Sequence, residues 1–158
     1  MIRYPHFALP NLYLVNGYEE EATHHGTEHT YQDEDALEHC VRRILLRKPE
    51  RYSGAEMRFL RRGLALSQAE LGEMLERDAQ SVARWEKSTA PIPRFVDLIL
   101  RIRFTNRFEP EMPLTELVAL SDGLSNPLPK KILLRHSGSA WTFDFDTAAP
   151  RTHRRHAA

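Results

Sequence analysis

The sequence predicts a mainly α-helical protein with a small α+β unit at its N-terminus and a β-hairpin near its C-terminus. Two capping boxes, which begin at Ser53 and Ser67, mark the starts of two helices fourteen residues apart. The pair Asn16-Gly17 is a strong hairpin signal, because both positions of a type I′ turn need positive φ. Alternating aromatic and polar residues over 140–146 indicate a strand. We therefore divide the chain into three parts, at residues 1–49, 50–123 and 124–158.

Length and composition limit the class of protein. The 158 residues, 41% hydrophobic and 28% charged, suit one or two small soluble domains. We expect no membrane helix, because no apolar run approaches the ~18 residues that one needs. We also expect no secretory signal, because no charged segment followed by an apolar one opens the chain. The single cysteine, Cys40, excludes an internal disulfide and fits a cytoplasmic protein.

A net charge of zero conceals a segregation of charge along the chain. Residues 1–40 hold one cation and eight anions, net −7, whereas residues 41–110 hold fifteen cations and nine anions, net +6. The remainder, residues 111–158, has a net charge of +1. The basic middle is a candidate phosphate-binding surface. The alternative is a pair of solvated faces that balance each other.

The N-terminal unit is predicted to contain short strands followed by a helix. The strands are expected at residues 12–15, 18–23 and 27–32. The Asn16-Gly17 turn joins the first two strands, and Gly26 allows a turn into the third. Residues 33–48 predict a helix that is acidic at its start and basic at its end, in the order that complements the helix dipole. Pro49 ends that helix.

The middle of the chain predicts helices from their caps and apolar spacing. These helices cover residues 54–63, 68–75, 79–87 and 94–104. Two short helices that cross steeply need a small residue where their backbones meet, and Gly72 occupies that position in the second helix. The apolar side chains that the second and third helices share are Leu71, Leu75, Val82 and Trp85. This pair has the pattern of a DNA-binding helix-turn-helix.

The last third of the chain carries fewer signals. A fifth helix is predicted at 114–120, a linker at 126–129, a β-hairpin from strands at 131–135 and 140–146, and a disordered tail at 150–158. The hairpin places Trp141, Phe143 and Phe145 on one face. That aromatic stripe either binds a partner, or covers the core of this protein or of its dimer.

Residues 53–108 resemble the Cro/C1-type (XRE) helix-turn-helix family, which has the λ-repressor-like fold. The matching positions are Leu66-Ser67-Gln68, Leu71-Gly72, Leu75, Val82 to Lys87 and the apolar helix after Pro93. The family usually has glycine in the turn between the two helices, and this chain has Glu76. Glu76 must therefore adopt positive φ, or the turn differs by one residue.

The whole chain is similar to MqsA/YgiT-type antitoxins, which place a small N-terminal domain before an XRE domain. The resemblance lies in residues 9–18, 54–61 and 83–87. The best-known members bind zinc through pairs of cysteines in the N-terminal domain. This chain lacks those cysteines, so the resemblance implies no zinc, and we expect no other cofactor.

The residues expected to contact DNA lie mostly on the third helix. The resemblance implies that an amide and an arginine read bases, and these fall on Gln80 and Arg84; Ser81 is the third candidate. The candidates for contacts with the DNA backbone are Gln68, Lys87, Arg58, Arg61 and Arg62. The alternative for Arg84, Arg61 and Arg62 is a surface cation in an ion pair with a glutamate.

We expect a sequence-specific repressor that binds a palindromic operator as a homodimer. The resemblance further implies the antitoxin of a type II toxin–antitoxin operon, with a cognate toxin as partner. The alternative is a regulator without a toxin, whose N-terminal unit dimerises or senses a ligand. An enzyme using His24, His25 or His29 is not expected, because the sequence offers no base–nucleophile pair. A metal site at these residues, with His39 and Cys40, is disfavoured by their irregular spacing.

Overall fold

The structure, a computed structural model, describes residues 1–145, so the tail predicted at 150–158 lies outside the described residues. The helices are α1 (Glu34–Leu46), α2 (Gly54–Gly63), α3 (Gln68–Met74), α4 (Ala79–Glu86), α5 (Arg94–Phe108) and α6 (Leu114–Ser121). The strands are β1 (Ile2–Tyr4), β2 (Leu12–Leu14), β3 (Tyr18–Thr23), β4 (Gly26–Tyr31), β5 (Ile132–Ser137) and β6 (Ala140–Phe145). The described chain is therefore mixed α/β, with more strand than the sequence predicts. Each predicted helix is present, and α5 continues four residues beyond its predicted end.

Four strands from opposite ends of the chain form one sheet in the order β1-β2-β5-β6. The two central strands, β2 and β5, are parallel, and Leu12 pairs with Ile132 and Leu14 with Leu134. All four of these side chains are fully buried. β5 and β6 are antiparallel, which confirms the predicted C-terminal hairpin. The predicted boundaries at residues 49 and 124 therefore separate segments that contribute to the same sheet.

The prediction that Asn16-Gly17 turns a hairpin is wrong. β2 pairs with β5 and with β1, a strand that the sequence did not predict, whereas β3 pairs only with β4. The Asn16 amide binds the backbone of His136, accepting from its N–H at 2.8 Å and donating to its carbonyl at 2.9 Å. Gly17 adopts φ +73°, and a side chain there would overlap the Trp141 ring. The dipeptide thus anchors the end of β2 to the C-terminal hairpin.

The aromatic stripe of β6 covers the core of the protein itself. Trp141 is buried, and its indole N–H donates to the carbonyl of Gln32 at 2.8 Å, just before α1. Phe143 packs against the core, with the guanidinium groups of Arg43 and Arg47 at 5.5 and 5.2 Å from its ring centre. Of the two interpretations of the stripe, the structure therefore supports the one in which it covers the protein's own core.

A buried ion pair on α5 ties the sheet unit to the helices. Asp97 and Arg101 are both fully buried, one helical turn apart, with 2.8 Å between Arg101 Nε and Asp97 Oδ1. Arg101 also donates to the carbonyls of Leu46 and Glu50 at 2.7 Å, which fixes the chain between α1 and α2. Asp97 accepts from the backbone N–H of Tyr52 and, in a further bond, from the hydroxyl of Ser121 on α6, both at 3.0 Å.

We expect Arg101→Met to lower the free energy of unfolding by roughly 3–5 kcal/mol, because it leaves Asp97 as a buried charge without its cation. Urea denaturation followed by circular dichroism measures the loss. Arg94→Met is a matched control, since Arg94 lies on the same helix in an exposed ion pair with Asp122 and its removal costs at most about 1 kcal/mol. Equal losses for the two variants contradict the central role of Arg101.

Candidate nucleic-acid interface

Side-chain caps fix the first turns of α3 and α4. At α3, the Ser67 hydroxyl accepts from the N–H of Glu70 at 3.0 Å, and the Glu70 carboxylate accepts from the N–H of Ser67 at 2.7 Å. At α4, the Asp78 carboxylate accepts from the N–H of Ser81 at 2.7 Å. The predicted starts of both helices are therefore confirmed, each with the cap that predicted it.

The turn between α3 and α4 keeps its compact form although it lacks the usual glycine. Glu76 adopts φ +52°, which is the first of the two possibilities that the sequence left open. The N–H of Arg77 donates to the carbonyl of Gly72 at 2.8 Å and closes the turn. A Cβ atom on Gly72 would lie 2.7 Å from the carbonyl oxygen of Arg77. The structure therefore confirms that a small residue is needed where the two helices meet.

The inner face of α4 packs against the helical core. Val82 is fully buried and Trp85 is 7% exposed. They belong to the same hydrophobic cluster as Leu71 and Leu75 of the preceding helix segment. Because residues three apart lie on the same side of a helix, burial of Val82 and Trp85 fixes which face of α4 remains outside.

The outer face of α4 carries the side chains predicted to read bases. Gln80 and Arg84 are exposed, and Ser81 is half-exposed. The Arg84 guanidinium donates to the Ser81 hydroxyl at 3.2 Å, and within residues 1–145 it forms no ion pair with a carboxylate. Lys87, which caps the C-terminal end of α4, is also exposed. The amide and the two cations therefore lie on one accessible surface.

The carboxylate of Glu86 joins three of the helices behind this surface. It accepts from Arg61 Nε of α2 at 2.5 Å and from Arg61 Nη2 at 3.1 Å. It also accepts from the Gln68 amide of α3 at 2.8 Å. The Gln68 amide has a second hydrogen, so this bond positions the group and still leaves a donor for a phosphate. Glu86 was not singled out from the sequence, because its partners lie 18 and 25 residues away.

Arg61 is placed differently from the sequence prediction. Its side chain is 9% exposed, and its remaining nitrogen donates to the carbonyl of Leu66 at 2.7 Å. A guanidinium that is 9% exposed and bonded to Glu86 and to Leu66 in this way presents little of its surface to a DNA backbone. We therefore correct the predicted phosphate contact: Arg61 holds α4 and the start of α3 in place.

The other two arginines of α2 are accessible. Arg58 and Arg62 are exposed, and with Phe7 and Phe59 they line a cleft of about 340 Å³ that reaches Glu86. Gly54 lies at the start of the same helix, where a side chain would overlap the carbonyl oxygens of Trp85 and Glu86. This close approach places the N-terminal half of α2 beside the C-terminal end of α4. The role of Gly54 was not evident from the sequence, where this residue merely follows a capping serine.

The ionisation of Glu86 is set by its partners. Burial opposes ionisation, but the hydrogen bonds from Arg61 and Gln68 and the charges of Arg61 and Arg58 outweigh it, so the pKa of Glu86 lies below its ordinary value. The contribution of Arg58 shows that its charge lies close to the Glu86 carboxylate. Glu86 is therefore ionised at neutral pH and keeps both partners.

The histidines of the N-terminal unit are dispersed. His24 and His25 form the exposed turn between β3 and β4, and His29 binds Glu20 at 3.1 Å. His39 makes an edge-to-face contact with Phe108, with 3.9 Å between the ring centres, and Cys40 is buried. Among residues 1–145, no three metal-ligating side chains are grouped where they could hold an ion.

Comparison of the chain with protein-family models, with curated proteins and with solved structures gives no match. In the part of the chain that the structure describes, none of the helices combines the length and hydrophobicity needed to cross a bilayer. A functional assignment therefore depends on the residues and geometry of this chain.

We expect Glu86→Gln to lower the free energy of unfolding by roughly 1–3 kcal/mol at neutral pH, because the Arg61 guanidinium loses its ionised partner. Since the pKa of Glu86 is lowered in the folded state, its stabilising effect is complete above the ordinary carboxyl pKa and is lost as the pH falls through the lowered value. Urea unfolding from neutral to acid pH should show the two proteins converging. A difference that stays constant with pH contradicts this account.

Proposed function

We propose that the protein is a sequence-specific DNA-binding regulator whose α2–α6 helices form a λ-repressor-like helix-turn-helix domain. The observation that carries the proposal is the outer face of α4, where Gln80 and Arg84 are accessible while Val82 and Trp85 hold the opposite face in the core. A helix that is firmly packed on one face and polar on the other can enter the major groove without rearrangement. The resemblance of residues 53–108 to the XRE family supports the same function.

The proposed contacts divide into two chemical classes. Arg84 donates to the two acceptors of a guanine edge and Gln80 pairs with an adenine edge, each worth roughly 1–3 kcal/mol of discrimination. Ser81 lies beside Arg84 and orients it through their hydrogen bond. The groups that bind phosphates are Gln68 with the N-terminus of α3, and the cations Lys87, Arg58 and Arg62.

One helix pair contacts few base pairs, so the proposal includes a homodimer on a palindromic operator. Half-sites for such a dimer are separated by one helical turn, about 34 Å, or a multiple of it. The symmetry of the protein then matches that of the DNA. We place this activity in the cytoplasm, where the operator is.

The wild-type protein is expected to bind the DNA upstream of its own coding sequence in preference to a random duplex. We expect Arg84→Ala to abolish this preference. Binding to a random duplex at low salt should persist, because the phosphate contacts remain. Gel shifts with both duplexes measure this difference, and light scattering on the same preparations reports the dimer. Arg51→Ala is the control, since Arg51 is exposed and lies between α1 and α2. Wild-type preference in the Arg84 variant refutes the assigned role.

We further propose that the protein acts as an antitoxin, as its similarity to MqsA/YgiT-type chains implies. The β3–β4 hairpin supports a partner of basic character. Glu19, Glu21 and Glu28 lie on one exposed face of it, and Glu21 is directly opposite Glu28. Like charges that face each other across strands are destabilising, and a basic partner relieves the repulsion. The alternative regulator without a toxin has no need of this surface.

We expect the product of a neighbouring toxin gene to co-purify with the full chain. Glu19→Gln, Glu21→Gln and Glu28→Gln together should release it, because they remove the facing charges. The triple control Glu73→Gln, Glu111→Gln and Glu116→Gln changes the net charge equally at exposed positions elsewhere. Absence of any co-purified partner supports the regulator without a toxin.

A further inference from the structure

A shallow cleft of about 290 Å³ lies between the α2–α3 turn and the C-terminal half of α5. Its lining is formed by Leu64 and Leu66 on one side and by Arg103, Asn106 and Arg107 on the other. The two leucines belong to the turn, where Ala65 adopts φ +56°. The polar residues lie three and four positions apart and therefore share one side of α5. The cleft thus has an apolar floor and a wall rich in hydrogen-bond donors.

The two arginines of this wall hold an uncompensated positive charge. Arg103 and Arg107 are exposed, one helical turn apart, and within residues 1–145 neither lies in an ion pair with a carboxylate. Like charges four residues apart destabilise a helix by a few tenths of a kcal/mol. Arg101 on the same helix is instead buried against Asp97. The Arg107 guanidinium lies 5.2 Å from the Phe108 ring centre, a contact that leaves its charge without a carboxylate partner. Ion pairing within residues 1–145 therefore does not account for the two charges.

The positive field extends to the neighbouring helix. The pKa of His39 on α1 is lowered by burial and then by the charges of Arg42, Arg43 and Arg107. Arg107 is thus one of three arginines whose charges act on His39.

The cleft lies close to the phosphate contact proposed for Gln68. Leu66 lines the cleft, and Gln68 begins α3 two residues later, so their Cα atoms are at most about 7.6 Å apart. A DNA strand that contacts Gln68 in the proposed complex therefore lies near one edge of the cleft.

We propose that Arg103, Asn106 and Arg107 bind backbone phosphates of the DNA that flanks each operator half-site. This inference rests on the proposed function and extends its footprint beyond the helix-turn-helix. The chemistry of the lining favours a DNA backbone over a free nucleotide. It has guanidinium and amide donors for phosphate oxygens, but no aromatic ring to stack a base and no carboxylate to bind ribose hydroxyls.

The salt dependence of binding tests this proposal. Each phosphate contact contributes about 0.9 to the slope of the log of the association constant against log salt concentration. Arg103→Ala with Arg107→Ala removes two contacts from each protomer of the proposed dimer, so it should reduce the slope by about 3.6. The reduction is expected on a duplex that extends about ten base pairs, one helical turn, beyond the two half-sites of the operator. On a duplex trimmed to those half-sites, wild type and variant should have similar slopes. Fluorescence anisotropy measures both.

Matched variants separate this contact from a general loss of charge. Lys130→Ala with Arg135→Ala removes the same two charges at exposed positions outside α5 and should leave the slope difference between the duplexes unchanged. Arg103→Lys with Arg107→Lys retains the charge and should restore most of the slope. A thermal melt confirms that each variant is folded.

The outcomes of this experiment are distinct from those for the helix-turn-helix. Preferential operator binding by the wild type, together with an unchanged slope in the Arg103 and Arg107 variant, overturns the flanking contact and leaves the proposed function intact. A slope lowered equally on both duplexes also overturns it, since the lost contacts then lie within the half-sites. Failure of the wild type to prefer upstream DNA over a random duplex overturns both proposals.

Discussion

The fold depends on the buried pair of Asp97 and Arg101. Two charges removed from water are tolerated only where nearly every polar atom finds a partner. Here the partners come from two other parts of the chain, the segment 46–52 at the end of α1 and Ser121 of α6. The carbonyls that Arg101 requires belong to the junction between α1 and α2. The helices that carry the proposed DNA contacts are thereby held in one position relative to the sheet.

The Glu86 cluster applies the same physics at the functional surface. A hydrophobic contact between α2 and α4 would allow the two helices to slide. The two hydrogen bonds from Arg61 to Glu86 instead have a fixed direction and length. Gln68 is positioned by the same carboxylate, so the start of α3 and the end of α4 keep their separation. The proposed recognition of DNA depends on that separation, because phosphate and base contacts must be made together.

Structural features that depend on residues close in sequence were predicted well, and features that depend on residues far apart in sequence were not. The caps at Ser53, Ser67 and Asp78 depend on neighbours three residues away, so the helix starts could be recognised. Asn16-Gly17 was misassigned, because its partner His136 is 120 residues away and nothing local signals a parallel strand. The outward positions on α4 follow from helical spacing. The burial of Arg61 could not be predicted from helical spacing, because it depends on where Glu86 lies in the fold.

The parallel pairing of β2 with β5 has a consequence for how the molecule is made. Leu12 and Leu14 leave the ribosome early, but the strand that covers them ends at residue 137. At a translation rate of about 5–20 residues per second, β2 waits on the order of ten seconds for β5 to be synthesised. During that time its apolar side chains are open to chaperones and proteases, whereas the helices of the middle segment have already emerged. The abundance of the finished protein is thus sensitive to translation speed and to proteolysis of nascent chains.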